Sequence, residues 1–143
     1  PNTYGLIGSQ ANSIEPGKRM LSSMTPSILE KNDNLFLVLG SPGGSTIITS
    51  VFQTILNVIL FDMNIQHAVD NKRFHHQWKP DVVILEPNKF DSDLIFKLKE
   101  KGYNIEEKFS RIIGRVDAIM VDEDGNISTG ADPRGDDFSS VLK

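Results

Sequence analysis

Cysteine is absent from the 143-residue sequence, which removes disulfides, thiolate nucleophiles and cysteine-bound metal from the available chemistry. The absence assigns no compartment, because cysteine-free proteins occur in oxidising and reducing surroundings alike. An excess of cations is lacking too: 15 Lys+Arg against 19 Asp+Glu give a formal net charge of −4 and a pI of about 5.3. Nothing in that balance points to nucleic acid or an anionic membrane surface as a partner. Long hydrophobic runs are missing as well. The most apolar stretch, residues 47–61, is interrupted by Thr49, Gln53, Thr54 and Asn57, so it reads as a core helix and not a membrane span. No signal peptide, internal repeat or low-complexity tract is visible.

What is there suits a soluble globular protein: 38% hydrophobic and 24% charged residues, in a chain long enough for one domain with a sizeable core. The opening Pro1-Asn-Thr-Tyr-Gly5 is loop sequence without an initiator Met. It carries the expectation that the chain starts partway through a longer polypeptide.

One stretch organises the chain, residues 35–49, which reads as a strand, a sharp glycine turn and the start of a long apolar helix. Ser45 or Thr46 is placed to cap that helix. Backbone N–H groups at such a turn, reinforced by the helix dipole, suit an anion or a developing oxyanion. The glycines also serve if the turn is merely tight, and the spacing alone leaves both readings open.

Before this stretch, residues 1–16 read as a surface loop, and Pro16-Gly-Lys-Arg19 as a turn bringing two cations close to Ser22-Ser23. Adjacent hydroxyls near Arg19 are able to hold a carboxylate, though a Ser-Ser pair by itself is ordinary loop sequence. Residues 27–30 and 35–39 are predicted to form a hairpin, the second strand covered on both faces because its apolar residues do not alternate. The helix after Gly44 has so wide an apolar stripe that heavy burial is expected. A shorter helix is predicted over residues 63–70, capped by Asn64 or Asp62.

His75 and His76 invite a metal reading. Adjacent residues face apart on a strand and about 100° apart on a helix, and no carboxylate sits at ligand spacing, so buried packing and hydrogen bonding is the expectation. A strand over 82–85 and a helix from an Asp91 cap to Gly102 follow, then a strand over 105–109 and a terminal hairpin, 118–121 with 127–129. Asp122-Glu-Asp-Gly125 lacks the alternating ligands and closing Glu of a calcium loop and reads as its turn. The predicted order is β-β-α-α-β-α-β-β-β, helices layered on a mostly antiparallel sheet.

Three motifs in this order go beyond composition: Pro16-Gly-Lys-Arg-Met-Leu-Ser-Ser-Met-Thr-Pro26, Gly40-Ser-Pro-Gly-Gly-Ser45 and Arg73-Phe-His-His-Gln-Trp78. With Tyr4-Gly5-Leu6 and Ala131-Asp-Pro-Arg134, they resemble the small subunit of gamma-glutamyltranspeptidases over essentially the whole chain. The resemblance implies an α+β fold, part of the αββα sandwich of N-terminal-nucleophile hydrolases, made by a precursor that cleaves itself. It implies an N-terminal threonine nucleophile that takes the gamma-glutamyl group of donors such as glutathione as an acyl-enzyme, then passes it to water, amino acids or peptides. No cofactor is implied.

By motif, Gly43 and Gly44 correspond to an oxyanion-hole pair, Ser22 and Ser23 to residues holding the donor's α-carboxylate, and Tyr4 to a lid tyrosine within a lid-type loop over residues 1–16. Arg73 and Arg134 correspond to structural anchors, and the histidines to a packed motif. Lys72 departs from a proline common before the arginine.

The nucleophilic threonine lies upstream of the lid in this family, and Thr3, directly before Tyr4, does not match it. The expectation is therefore a single partial domain, the C-terminal portion of a small subunit, inactive alone. It needs the large subunit and the rest of the small subunit as partners, and bacterial relatives imply a periplasmic or secreted location. Two readings compete: an anion-binding or interaction module using the Gly43-Gly44-Ser45 turn, though without the lysine and loop length of a P-loop, and a homologue without catalytic activity.

Overall fold

In a computed structural model of the chain, the structure describes residues 8–20, 22, 24–107 and 113–142. The predicted first hairpin is present as β1 (Ser27–Lys31) and β2 (Asn34–Gly40). Asn32 and Asp33 turn it at φ of 53° and 62°, a left-handed region these two side chains tolerate better than most. β2 pairs in turn with β6 (Asp117–Val121), and β6 with β7 (Ile127–Gly130), giving an antiparallel sheet in the order β1-β2-β6-β7.

Two helices cover one face of this sheet: α1 (Thr46–Ile59) and α2 (Ile65–Asp70). Between them and the sheet lies the core, including Leu37, Leu39, Val51, Ala68, Val69 and Val116. Asn64 caps α2 by accepting from His67 N, as its short polar side chain predicts.

A smaller sheet, β3-β4-β5, comprises β3 (Phe74–His75), β4 (Val83–Leu85) and β5 (Ile105–Glu107). β4 and β5 are parallel, so the connection must cross over, and α3 (Ser92–Glu100) makes that crossover. Asp91 accepts from Asp93 N and Leu94 N at its start. At its end Gly102 has φ of 91°, and the bonds Gly102 N to Lys99 O and Tyr103 N to Leu98 O close a Schellman motif.

The structure departs from the sequence reading in three places. β2 is buried on one face only, through Leu37 and Leu39, while Phe36 and Val38 are half-exposed. α1 likewise buries Ile47, Val51 and Val58 but exposes Ile48, Phe52 and Ile59. Apolar composition showed how much surface wants covering, and these residues cover it on one side. The strand expected over 105–109 is present over Ile105–Glu107, and residues 108–109 lie outside the described residues. β3, within the Arg73–Trp78 motif, was not anticipated.

Candidate active site

The turn between β2 and α1 begins where the strand ends at Gly40 and reaches the helix through Gly43 and Gly44, at φ of 136° and 60°. Both values lie where a side chain strains the backbone, so glycine is needed here. Neither serine nor threonine caps α1 in the expected way: Ser45 sits at the cap position in helical conformation with no side-chain bond. Instead Thr46 Oγ1 donates to Gly43 O at 2.9 Å, and Thr46 N and Ile47 N bond the carbonyls of Gly43 and Gly44.

With the carbonyls turned into the helix, neither glycine N–H donates to another described residue. They adjoin the positive end of a 14-residue helix with no acidic residue in its first turn. Such a group can accept an oxyanion's charge.

Behind the turn runs the segment Ile113-Gly-Arg-Val116. Gly43 approaches it so closely that a Cβ there would lie 3.2 Å from Gly114 Cα. Ser41 Oγ accepts from Arg115 N at 2.9 Å, and Ser50 Oγ donates to Ile113 O at 3.1 Å and Thr46 O at 2.8 Å.

On its far side, the same segment meets a buried cluster of charges. Arg73, 1% exposed, donates through Nη1 to Asp132 Oδ2 at 2.6 Å and to the carbonyls of Ile113 and Gly114, and through Nη2 to Val69 O. Asp132, fully buried, also accepts from Val116 N, Arg134 N and Arg134 Nη1. Arg134 in turn pairs with Glu86 through Nε and Nη2, and Glu86 Oε2 accepts from Arg73 N.

Burial drives the Arg73 guanidinium below its usual pKa, with Arg134 nearby adding to the effect and Asp132 opposing it. Burial alone would raise the Asp132 carboxyl, but the charge of Arg73 and the Val116 and Arg134 amides outweigh it and hold the group below its ordinary range. Burial also opposes the charge on Arg134, yet Glu86 and Asp132 leave its pKa raised.

Of the residues singled out by sequence, the structure places Gly43 and Gly44 together at the turn. Ser22 is exposed, its Oγ accepting from Met24 N at 3.2 Å, and has no bond to the turn. Ser23 and Tyr4 lie outside the described residues. His75 is buried, with Nδ1 against Thr49 Oγ1 and Nε2 against Gln77 Oε1, whereas His76 Nε2 meets Asp81 on a more exposed side. The two rings therefore serve different partners, and His75 is held as the packing reading expects. Asp122 closes its turn by accepting from Asp124 N and Asn126 N.

Sequence reasoning did not single out Asp132, Glu86, Ser41, Ser50 or Gly114. Asp132 and Ser41 stood inside quoted motifs and could have been weighed there. Glu86 and Gly114 carried no local signal.

Residues 1–142 match the family model described as Gamma-glutamyltranspeptidase. The chain is 44% identical over 137 residues to the glutathione hydrolase proenzyme of Escherichia coli, covering 96% of this chain and 23% of that protein. It is 41% identical to the Pseudomonas aeruginosa proenzyme, covering 99% and 26%. It therefore spans about a quarter of these curated relatives.

Among solved structures, the gamma-glutamyltranspeptidase from Pseudomonas nitroreducens complexed with L-DON superposes with a TM-score of 0.91 at 42% identity, covering 99% of this chain and 74% of that one. The Bacillus anthracis transpeptidase CapD superposes at 0.75 with 26% identity, covering 89% and 75%. The mixed α/β architecture with mostly antiparallel sheets is thus that of N-terminal-nucleophile hydrolases, and the chain belongs to the gamma-glutamyltranspeptidase family.

Proposed function

We propose that this chain is the C-terminal portion of the small subunit of a glutathione hydrolase that transfers the gamma-glutamyl group of glutathione to water, amino acids or peptides. The observation that carries the reading is the turn itself. Two adjacent glycines, both at positive φ, leave N–H groups without a described partner at a helix N-terminus.

In this reading a threonine outside the 143 residues attacks the gamma-carbonyl carbon, and Gly43 and Gly44 donate to the resulting oxyanion. The C–N bond then breaks, the amine leaves with a proton, and an acyl-threonine remains. Water or an acceptor amine attacks that ester and regenerates the hydroxyl. Ser22 and Ser23 hold the donor's α-carboxylate, and Tyr4 covers the glutamyl pocket. The remaining polypeptide supplies the nucleophile and the groups for the donor's ammonium. The resemblance further supports export of the parent protein to the periplasm or beyond.

Release of p-nitroaniline from a gamma-glutamyl anilide tests this. The isolated chain is expected to give none, and the full-length protein to give steady turnover. In the full-length protein Gly44→Pro deletes one amide donor and, because proline is held near a φ of about −65°, also drives the backbone away from 60°, so kcat is expected to fall by at least about 10²–10³-fold. Gly44→Ala keeps the N–H and serves as the control for strain at φ of 60°. Turnover by the isolated chain would overturn the assignment of the nucleophile, and an equal loss in both variants would overturn the oxyanion role.

A further inference from the structure

We infer that Arg73 and Asp132 are positioning residues for the glycine turn, acting through the segment from Ile113 to Val116; the inference rests on the oxyanion reading of Gly43 and Gly44. That segment is one strip of backbone held from two sides. On the inner side Arg73 Nη1 binds the carbonyls of Ile113 and Gly114 at 3.2 and 3.3 Å, and Asp132 Oδ2 binds Val116 N at 2.7 Å. The two side chains are joined to each other at 2.6 Å. On the outer side the strip touches the turn through Arg115 N on Ser41 Oγ and by the direct approach of Gly43 to Gly114, and it is tied to α1, which follows the turn, through Ser50 Oγ on Ile113 O.

No side chain separates Gly43 from Gly114, so displacement of the strip passes directly to the turn. A Cβ on Gly114 would overlap Ser50, and its φ is 67°, which leaves the strip little freedom to relax. Arg73 is suited to this work because a guanidinium offers several donors in a fixed fork and binds Asp132, two strip carbonyls and Val69 O at once. Burying such charges is a poor route to stability compared with apolar packing. What the network supplies is direction, and the directions converge on the strip behind the turn.

The test uses the full-length protein and the gamma-glutamyl anilide. Arg73→Lys keeps the charge but loses the fork, so the strip should shift while the donor pocket stays intact. A small misplacement at a reacting centre costs about 10–100-fold, so kcat should fall by that factor with KM within about twofold of wild type. A purely structural anchor would instead lower the thermal midpoint and leave the kcat of the folded fraction unchanged, a result that overturns the inference.

If Arg73→Lys does not fold, Ser41→Ala decides. It removes the acceptor for Arg115 N at the half-exposed edge of the turn. It should lower kcat without raising KM, and an unchanged kcat overturns the inference. An inactive wild type sinks the active-site reading and this inference with it, whereas an active wild type with unchanged variants sinks this inference alone.

Discussion

A Cβ placed on Gly43 would lie 2.6 Å from Thr46 Oγ1 as well as against Gly114, in a backbone at φ of 136°. Gly40, three residues earlier in the same motif, has open space at its Cβ position and no positive φ. The two glycines should therefore answer differently to alanine. In the full-length protein Gly43→Ala is expected to cost about 1–3 kcal/mol of stability through strain, and to lower kcat, while Gly40→Ala stays within about 0.5 kcal/mol. Denaturant unfolding with kinetics on the same samples checks this, and equal responses would show that the turn is not tight.

Asp132 gives a second residue-scale expectation, in pH. Its native pKa is held below the ordinary 3.8, so its ionised form stabilises the fold above that value. The contribution is lost as pH falls through the lower native value. Asp132→Asn leaves Arg73 buried without its charge partner and should cost about 3–5 kcal/mol near neutrality. The gap to wild type should then narrow in acid, below pH 3.8. A gap of constant size from neutral to acid pH would show that the charge of Asp132 is not what stabilises the network.

At the scale of elements, α3 isolates what its ends contribute, because none of its residues is buried. Asp91→Ala removes the acceptor for two amides and should cost about 1 kcal/mol. Hydrogen exchange should show the lost protection confined to residues 92–100, and loss spread through the sheets would contradict a local role. The ends of α3 were legible in sequence for the same reason: Asp91 and Gly102 act within one turn of themselves. So do Asn32 and Asp33 in the first hairpin and Asp122 in the last.

β3 was not legible, because two residues become a strand only by pairing Phe74 with Leu85 and His75 with Ile84. The charge network was hidden likewise. Arg73 and Asp132 are 59 residues apart, and Glu86 and Arg134 are 48 apart, so no local pattern links them. The glycine turn was legible as a motif. Its backing by Gly114 was not, since nothing near Gly114 in sequence signals a left-handed residue.

For the molecule as a whole, the consequence lies on the face of the four-stranded sheet opposite α1 and α2. Strand pairing lines up Ile28, Val38 and Ile119 across three strands, and Val121 with Ile127 continues the row. Ile28 is 71% exposed, Ile127 53% and Ile119 45%. A contiguous apolar row of this kind drives association in water. In the solved relatives the matched segment is about three quarters of a longer chain, which leaves polypeptide to cover such a surface. The isolated chain has only itself. Its apparent mass in sedimentation should therefore rise with concentration, and Ile28→Lys with Ile119→Lys together should return it to a monomer by placing like charges in the row. Those positions face away from the helix-covered core, so far-UV circular dichroism should be unchanged. A wild-type chain that remains monomeric at all concentrations would show that this face is too small or too well hydrated to associate, and that the sheet needs no cover to stay in solution.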